Sequence, residues 1–457
     1  MSSTLMMCLR SISICFGVLF AAFFLLLICS SNIQADSRSH EKFASVYDEW
    51  LGIAQEGVKG PVGDWHYYWK DGFRIDRPNK NFTLRTNLSI MVDGGYIGPD
   101  EELKRAFPDL EGPNVEFRQL KVSTFGTLYD WAEFKLSIDF ANVRDIQDEW
   151  IRFTRIPYIG HFTVGYMKEP FSLENWTSLK SITFMERSLP TDAFAPGRNF
   201  GIRRHSTALD QRMTWALGAF LNTGSFSDVG DSKDQISEAN GWDLTARVTY
   251  LPLYDENGKR LLHLGLSYTH QFRGQEDVGE QLRTRPESRL TDDRLVDTGE
   301  FFTDSADLIN AEFAIVNGSL SFQGEYFHVF EDADALDNFN FWGFYLFGSY
   351  FISGEHRNYG RQSGAFYSLE PKHDFRPFKG GWGAWELTSR FSYIDLNSAA
   401  VRGGKEFDFT AGLNWYLNKK TRFMFNYIRA KVEDRETPPP VDSGHADIFQ
   451  ARFQIEF

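Results

Sequence analysis

The chain has 457 residues, a formal net charge of −14 at pH 7, and 16% aromatic residues, among them 43 Phe, 18 Tyr and 12 Trp. A mean hydropathy of −0.37 excludes a bundle of membrane helices, and the acidic balance argues against nucleic-acid binding. The three cysteines, Cys8, Cys15 and Cys29, all precede residue 36, so a chain processed there has no thiol for disulfides, metal ligation or catalysis.

The first element is an apolar run, Ser11 to Ser30, preceded by Arg10 and followed by Ser31-Asn32-Ile33-Gln34-Ala35. Small Ala35, with Ile33 two residues before it, makes residues 1–35 read as a secretory signal peptide cleaved before Asp36. A lipoprotein signal at Cys29 is the rival, disfavoured by Ile28 where lipidation wants a small residue. Within 36–61, Phe43, Val46, Tyr47, Trp50, Leu51 and Ala54 share one helix face, which predicts a short amphipathic N-terminal helix and a linker.

From about residue 62 to 457 the period changes to two. Phe134, Leu136, Ile138 and Phe140 alternate with Glu133, Lys135, Ser137 and Asp139. Leu244, Ala246, Val248 and Tyr250 alternate with Asp243, Thr245, Arg247 and Thr249, and Leu262, Leu264, Leu266 and Tyr268 with His263, Gly265, Ser267 and Thr269. The last segment sets Phe449, Ala451, Phe453, Ile455 and Phe457 against Gln450, Arg452, Gln454 and Glu456. Strands of about ten residues with one apolar, aromatic-tipped face have the dimensions of lipid-spanning barrel strands. A soluble sandwich would seldom carry so many aromatics.

Candidate strands fall at 66–75, 81–92, 116–127, 130–142, 148–155, 160–168, 199–208, 212–222, 241–252, 261–272, 307–316, 319–330, 340–353, 382–396, 405–417, 421–433 and 446–457. The first is the least regular and reads as an extra strand, which leaves a 16-stranded antiparallel transmembrane β-barrel. Asn317-Gly318 and Asn418-Lys419-Lys420 are tight turns, whereas 223–240, 273–306, 354–381 and 434–445 are long and polar. Turns at one end and long loops at the other fit periplasmic and extracellular faces.

The connection between strands 160–168 and 199–208 is too long and too apolar for a plain solvated loop. It reads as a loop folded into the lumen, with Phe171, Trp176, Phe184 and Phe194 on the wall and Lys180, Arg187 and Arg198 facing the aperture. Charges at a constriction are how a wide pore acquires selectivity. An outer lid or an intersubunit contact is the alternative.

Lys168-Glu169-Pro170-Phe171-Ser172-Leu173-Glu174-Asn175, then Phe184-Met185-Glu186-Arg187-Ser188-Leu189 and Ala195-Pro196-Gly197-Arg198, resemble the signature of the phosphate-selective porin O and P family. Similar too are Arg283-Thr284-Arg285-Pro286-Glu287, Tyr350 to Tyr359, Gly383 to Leu396, Gly412 to Leu417 and terminal Phe457. The resemblance runs from about residue 80 to the end. It implies a homotrimeric porin of the bacterial outer membrane, embedded in outer-membrane lipid, passing small anionic solutes, phosphate included, without a cofactor. In family members that prefer phosphate, a ladder of arginines leads to a lysine-rich constriction. Arg118, Arg187, Arg283 and Arg285 match it, but Gln119 and Glu287 stand where further arginines would be, and Asn175 where a lysine would be. Fewer cations weaken the grip on a multivalent anion, because each desolvated phosphate oxygen needs a donor.

A structural or adhesive surface barrel, which predicts an occluded lumen, stays open as a second reading. A barrel enzyme is the third, with no glycine-rich phosphate loop, Gly-x-Ser-x-Gly or His-Glu-x-x-His to support it. The acidic pairs Asp292-Asp293 and Glu331-Asp332 read as solvated loop faces.

Overall fold

The computed structural model describes residues 65–77, 81–141, 145–156, 160–222, 241–273, 279–332, 338–377 and 380–457. The leader at 1–35, the amphipathic helix at 43–54 and the loop at 223–240 lie outside the described residues.

The alternating segments pair as read. A short hairpin, β1 (His66–Trp69) and β2 (Phe73–Asp76), precedes the barrel. The first barrel strands are β3 (Phe82–Pro99), β4 (Gly112–Leu128), β5 (Ala132–Asp139), β6 (Asp145–Ile156), β7 (Gly160–Lys168) and β8 (Arg198–Ala208). They continue with β9 (Met213–Leu221), β10 (Trp242–Asp255) and β11 (Arg260–Phe272). After two strand pieces inside a loop, β12 (Arg283–Thr284) and β13 (Val296–Asp297), come β14 (Ser305–Asn317), β15 (Leu320–Asp332) and β16 (Phe339–Phe351). Two more pieces, β17 (Asn358–Gly360) and β18 (Ala365–Tyr367), precede β19 (Ala384–Ser398), β20 (Val401–Asn418), β21 (Thr421–Arg435) and β22 (Val441–Glu456).

Each barrel strand pairs antiparallel with its neighbour, and β22 closes on β3 from Ala446↔Pro99 to Glu456↔Ser89. Sixteen strands therefore form the closed wall. The irregular segment at 66–75 folds as the hairpin, whose β2 takes the stretch of β3 that β22 leaves free, Phe73↔Thr86 to Asp76↔Thr83. Closure leaves the sixteen-stranded wall without an edge, so backbone groups are satisfied within the membrane.

The alternation sorts as a lipid-facing barrel requires. On β10, Leu244 and Tyr250 are 39% and 44% exposed on the outer surface, while Asp243 and Thr245 are 1% and 0% exposed. Aromatic side chains ring both ends: Tyr129, Trp131, Tyr350, Trp382 and Trp385 near the short turns, and Trp242, Tyr268, Tyr326, Phe330 and Phe449 near the long loops. Such girdles mark the two membrane–water interfaces.

Three expectations need correction. First, the connection over 352–383 leaves the turn end of β16, the end that also carries Gly318 and the carboxy terminus, and so is not an outer loop. Its length imitated one, but Tyr359, Phe366 and Leu369 are buried, and the β17–β18 piece packs inside the mouth of the barrel. Second, the polar stretch at 434–445 is mostly strand, because β21 runs to Arg435 and β22 begins at Val441. Third, Glu331 does not sit on a solvated face. It ends β15 in a buried position, with Arg273 at 3.5 Å and the Thr303 hydroxyl donating to it at 2.8 Å.

The inward face is also drier than a plain wet lumen. Phe171, Phe184, Leu189 and Phe194 of 169–197 and Leu290, Leu295 and Phe301 of 273–304 form one apolar core with inward side chains such as Phe327, Phe347, Ile394 and Ile448. Along β10 and β20 even the polar inward groups, among them Arg247, Thr249, Asp408 and Thr410, are buried. Most inward side chains of β3 to β6, among them Arg85, Lys121, Phe125, Lys135, Trp150 and Arg152, remain partly exposed. The infolded segments thus cover one side of the barrel and leave the β3–β6 arc open.

Candidate functional site

The segment 169–197 is fixed by groups supplied from the wall. Glu169 begins it, fully buried, accepting bonds from Asn199 at 2.7 Å and from the Thr245 hydroxyl. Burial and neighbouring Asp243 push the Glu169 carboxyl well above the usual carboxylate range. Ser172 takes a positive φ of 64° and its hydroxyl accepts from the Asn175 amide, opening the short helix α1 (Leu173–Trp176). The carboxylate of Glu325 on β15 receives the Leu173 and Glu174 amides at 3.0 and 2.7 Å, which satisfies donors that a helix start leaves free. Further on, α2 (Leu189–Phe194) lies against β16, where Gly343 makes the fit: a Cβ there would sit 2.8 Å from Pro190 Cβ.

Buried arginines of the wall hold the same segment by its carbonyls. Arg422 donates to Ile182 O at 2.9 Å, Arg452 to Met185 O at 2.5 Å, and Arg390 to Glu186 O at 3.1 Å. Glu186 is gripped from two sides, by Arg118 (2.6 and 3.0 Å) and by Arg452 (2.6 Å). Burial alone would raise its pKa, but the Arg118 and Arg452 guanidiniums win and hold it well below the usual carboxylate range.

These contacts sort the cations expected to line the passage. Arg118 is 9% exposed and spends its fork on Glu186, so it is a clamp for the loop. Lys180 lies apart, its Nζ 2.9 Å from Glu456 close to the carboxy terminus. Arg187 and Arg198 do come together. Both lie within electrostatic reach of Lys168, Arg198 also of Lys121; Arg198 shares with Lys135 the carboxylate of Asp148, while Glu174 and Glu186 act on Arg187. Lys135 Nζ is 2.7 Å and Arg198 Nε 3.3 Å from Asp148, Lys168 donates to Asn175 O at 2.5 Å, and Arg187 Nε has no hydrogen-bond partner. Four cations around Asp148, with Arg187 beside them, outnumber the nearby carboxylates Asp148 and Asp139 and leave a positive zone.

Arg283 and Arg285 belong to a second group in the segment 273–304. Arg283 is exposed, Arg285 pairs with Asp292 at 2.8 Å, and Arg289 and Arg294 stand beside them, the latter 3.3 Å from Asp192. Arg289 is also within reach of Arg118, so positive charge continues from this group toward the inner zone. The three departures from the family pattern lie off this path. Gln119 accepts from Ser89, Asn175 donates to Pro196 O, and Glu287 is buried against Arg390 at 2.6 Å with the Thr410 hydroxyl donating to it.

Sequence reasoning passed over Lys121, Lys168, Arg289 and Arg294 as site residues, and took Lys135 only as a lumen charge. The signal for two of them was present: Lys121 shares its alternation phase with Ser123 and Phe125, as Lys135 does with Glu133 and Ser137, so both point inward.

The sequence model of the family described as phosphate-selective porin O and P matches residues 102–457. Among individual relatives, an uncharacterised protein of Caulobacter vibrioides is 26% identical over 399 residues, 85% of this chain and 76% of its own. Porin O of Pseudomonas aeruginosa is 24% identical over 430 residues, 85% of this chain and 91% of its own. Among solved structures, an anion-selective porin from Comamonas acidovorans superposes with a TM-score of 0.54 at 12% identity, covering 82% of this chain and all (100%) of that one. The outer-membrane channel DcaP of Acinetobacter baumannii gives 0.50 at 11% identity, with 84% and 99% covered.

Proposed function

Because the chain belongs to the phosphate-selective porin O and P family, and so to the channels of the bacterial outer membrane, we propose that it conducts small anions, phosphate among them, by passive diffusion along the β3–β6 arc. The observation that carries this reading is the cluster of Lys121, Lys135, Lys168 and Arg198 around the carboxylate of Asp148, with Arg187 beside Lys168 and Arg198. An anion there meets donors whose charge Asp148 and Asp139 offset only in part, whereas a cation meets an excess of like charge. Arg283, Arg285, Arg289 and Arg294 form the outer approach, and Arg118 and Lys180 act on ions at most indirectly, being paired with Glu186 and Glu456. The assembly is a homotrimer in outer-membrane lipid, as the family resemblance implies.

The test is a reversal-potential measurement in planar bilayers under a potassium chloride gradient, with chloride then replaced by phosphate. Anion selectivity that falls in a Lys121→Gln, Arg187→Gln double variant supports the reading. Cation selectivity, or no conductance, overturns it, the latter in favour of an occluded surface barrel.

A further inference from the structure

The open arc holds more than charge. Arg85, Phe125, Lys135 and Trp150 are successive cross-strand partners on β3, β4, β5 and β6, so they share one level of the inner wall. Lys135 fixes the row as inward, because its Nζ reaches Asp148. Arg85 lies over the Phe125 ring at 5.2 Å, and Arg152 over the Trp150 indole at 4.6 Å. All five side chains are partly exposed. The next partner of Trp150, Gly165 on β7, has no side chain to cover the indole on that flank. The wall at this level therefore runs cation, aromatic, cation, aromatic across β3 to β6, with Arg152 two residues along β6 and ion-paired there to Glu133 at 3.3 Å.

An inorganic anion gains nothing from the rings, since an aromatic face carries the negative side of the quadrupole. A permeant that is both anionic and flat uses both parts. Its carboxylate takes hydrogen bonds from Lys135 in competition with Asp148 (2.7 Å), or from Arg152 in competition with Glu133 (3.3 Å), while its ring lies against the indole and the phenyl. We infer that this strip is a binding subsite for aromatic carboxylates, so that the passage favours benzoate-like anions over aliphatic carboxylates of equal charge. The inference rests on the anion-channel reading and names the class of anion that channel retains.

The experiment uses the full-length protein in planar bilayers with benzoate as probe and acetate as control. Added to a chloride solution, benzoate should reduce the chloride current at a concentration at least five-fold lower than acetate does. Trp150→Leu should remove most of that difference, Trp150→Phe should keep most of it, and Phe125→Leu should lower it independently of Trp150. Chloride-over-potassium selectivity should be unchanged in all three. Equal action of benzoate and acetate on the wild type, which needs no variant to fold, overturns the inference; so does an unaltered benzoate effect in both leucine variants, which would make the rings wall packing only. Neither result touches the anion-channel reading, which fails separately if the wild type does not select chloride over potassium.

Discussion

Arg452 shows what a buried charge does in this barrel. It is 0% exposed and binds Asp93 through two bonds of 2.7 Å, Glu186 at 2.6 Å and the Met185 carbonyl. Replacing it with methionine leaves two carboxylates short of a countercharge, a loss of about 3–5 kcal/mol for a broken buried pair. The expected result is a clear fall in the temperature at which the purified barrel loses its heat-modifiable gel migration. Glu186, on the same arginine, gives a prediction about pH. Its pKa is held below the ordinary carboxylate value of about 4.3, so its contribution to stability is fully present above that value and is lost only as pH falls through the lowered folded value. Conductance should therefore show no step from this group between pH 7 and pH 4. A titration of single-channel current with a midpoint near 4.5 that disappears in Glu186→Gln would contradict the assignment.

The strands were legible in the sequence because their signal is local: a period of two with charged and apolar faces is written in consecutive residues. Leu244 to Tyr250 against Asp243 to Thr249 needs no partner to be read. What covers the inner wall was legible only in part, since it depends on groups far apart in the chain. Nothing near Tyr359 announces that its hydroxyl meets His263 at 2.7 Å, or that Gly364 O receives Arg247 at 2.9 Å. Hence the segment 354–381 was placed at the wrong end, and the sorting of cations into clamps such as Arg118 and a cluster around Arg198 emerged only with the fold. This element carries its own prediction. Replacing 356–369 by a short Gly-Ser linker removes Tyr359 and Phe366 and opens the turn-end mouth beside β9 to β11, so single-channel conductance should rise while the barrel still assembles. An unchanged conductance would mean that the segment lies outside the path of ions.

Over the whole molecule the sign of the total charge and the sign of the passage differ. The chain carries −14, yet its open arc gathers Lys121, Lys135, Lys168 and Arg198 around Asp148, with Arg187 beside them. Three of the carboxylates inside the barrel, Glu186, Glu287 and Glu312, each have a guanidinium within 2.6 Å, which offsets their charge locally. At 0.1 M salt the screening length is about 10 Å, and at 1 M about 3 Å. A selectivity set by a few partly hydrated cations within the passage must therefore weaken as salt is raised, whereas one set by a tight, dehydrated ion site would hold. The expected outcome is a chloride-over-potassium permeability ratio that is clearly above one in 0.1 M potassium chloride and falls several-fold in 1 M. Selectivity that grows with salt would mean that the net negative charge, and not the arc, sets the field that an entering ion meets.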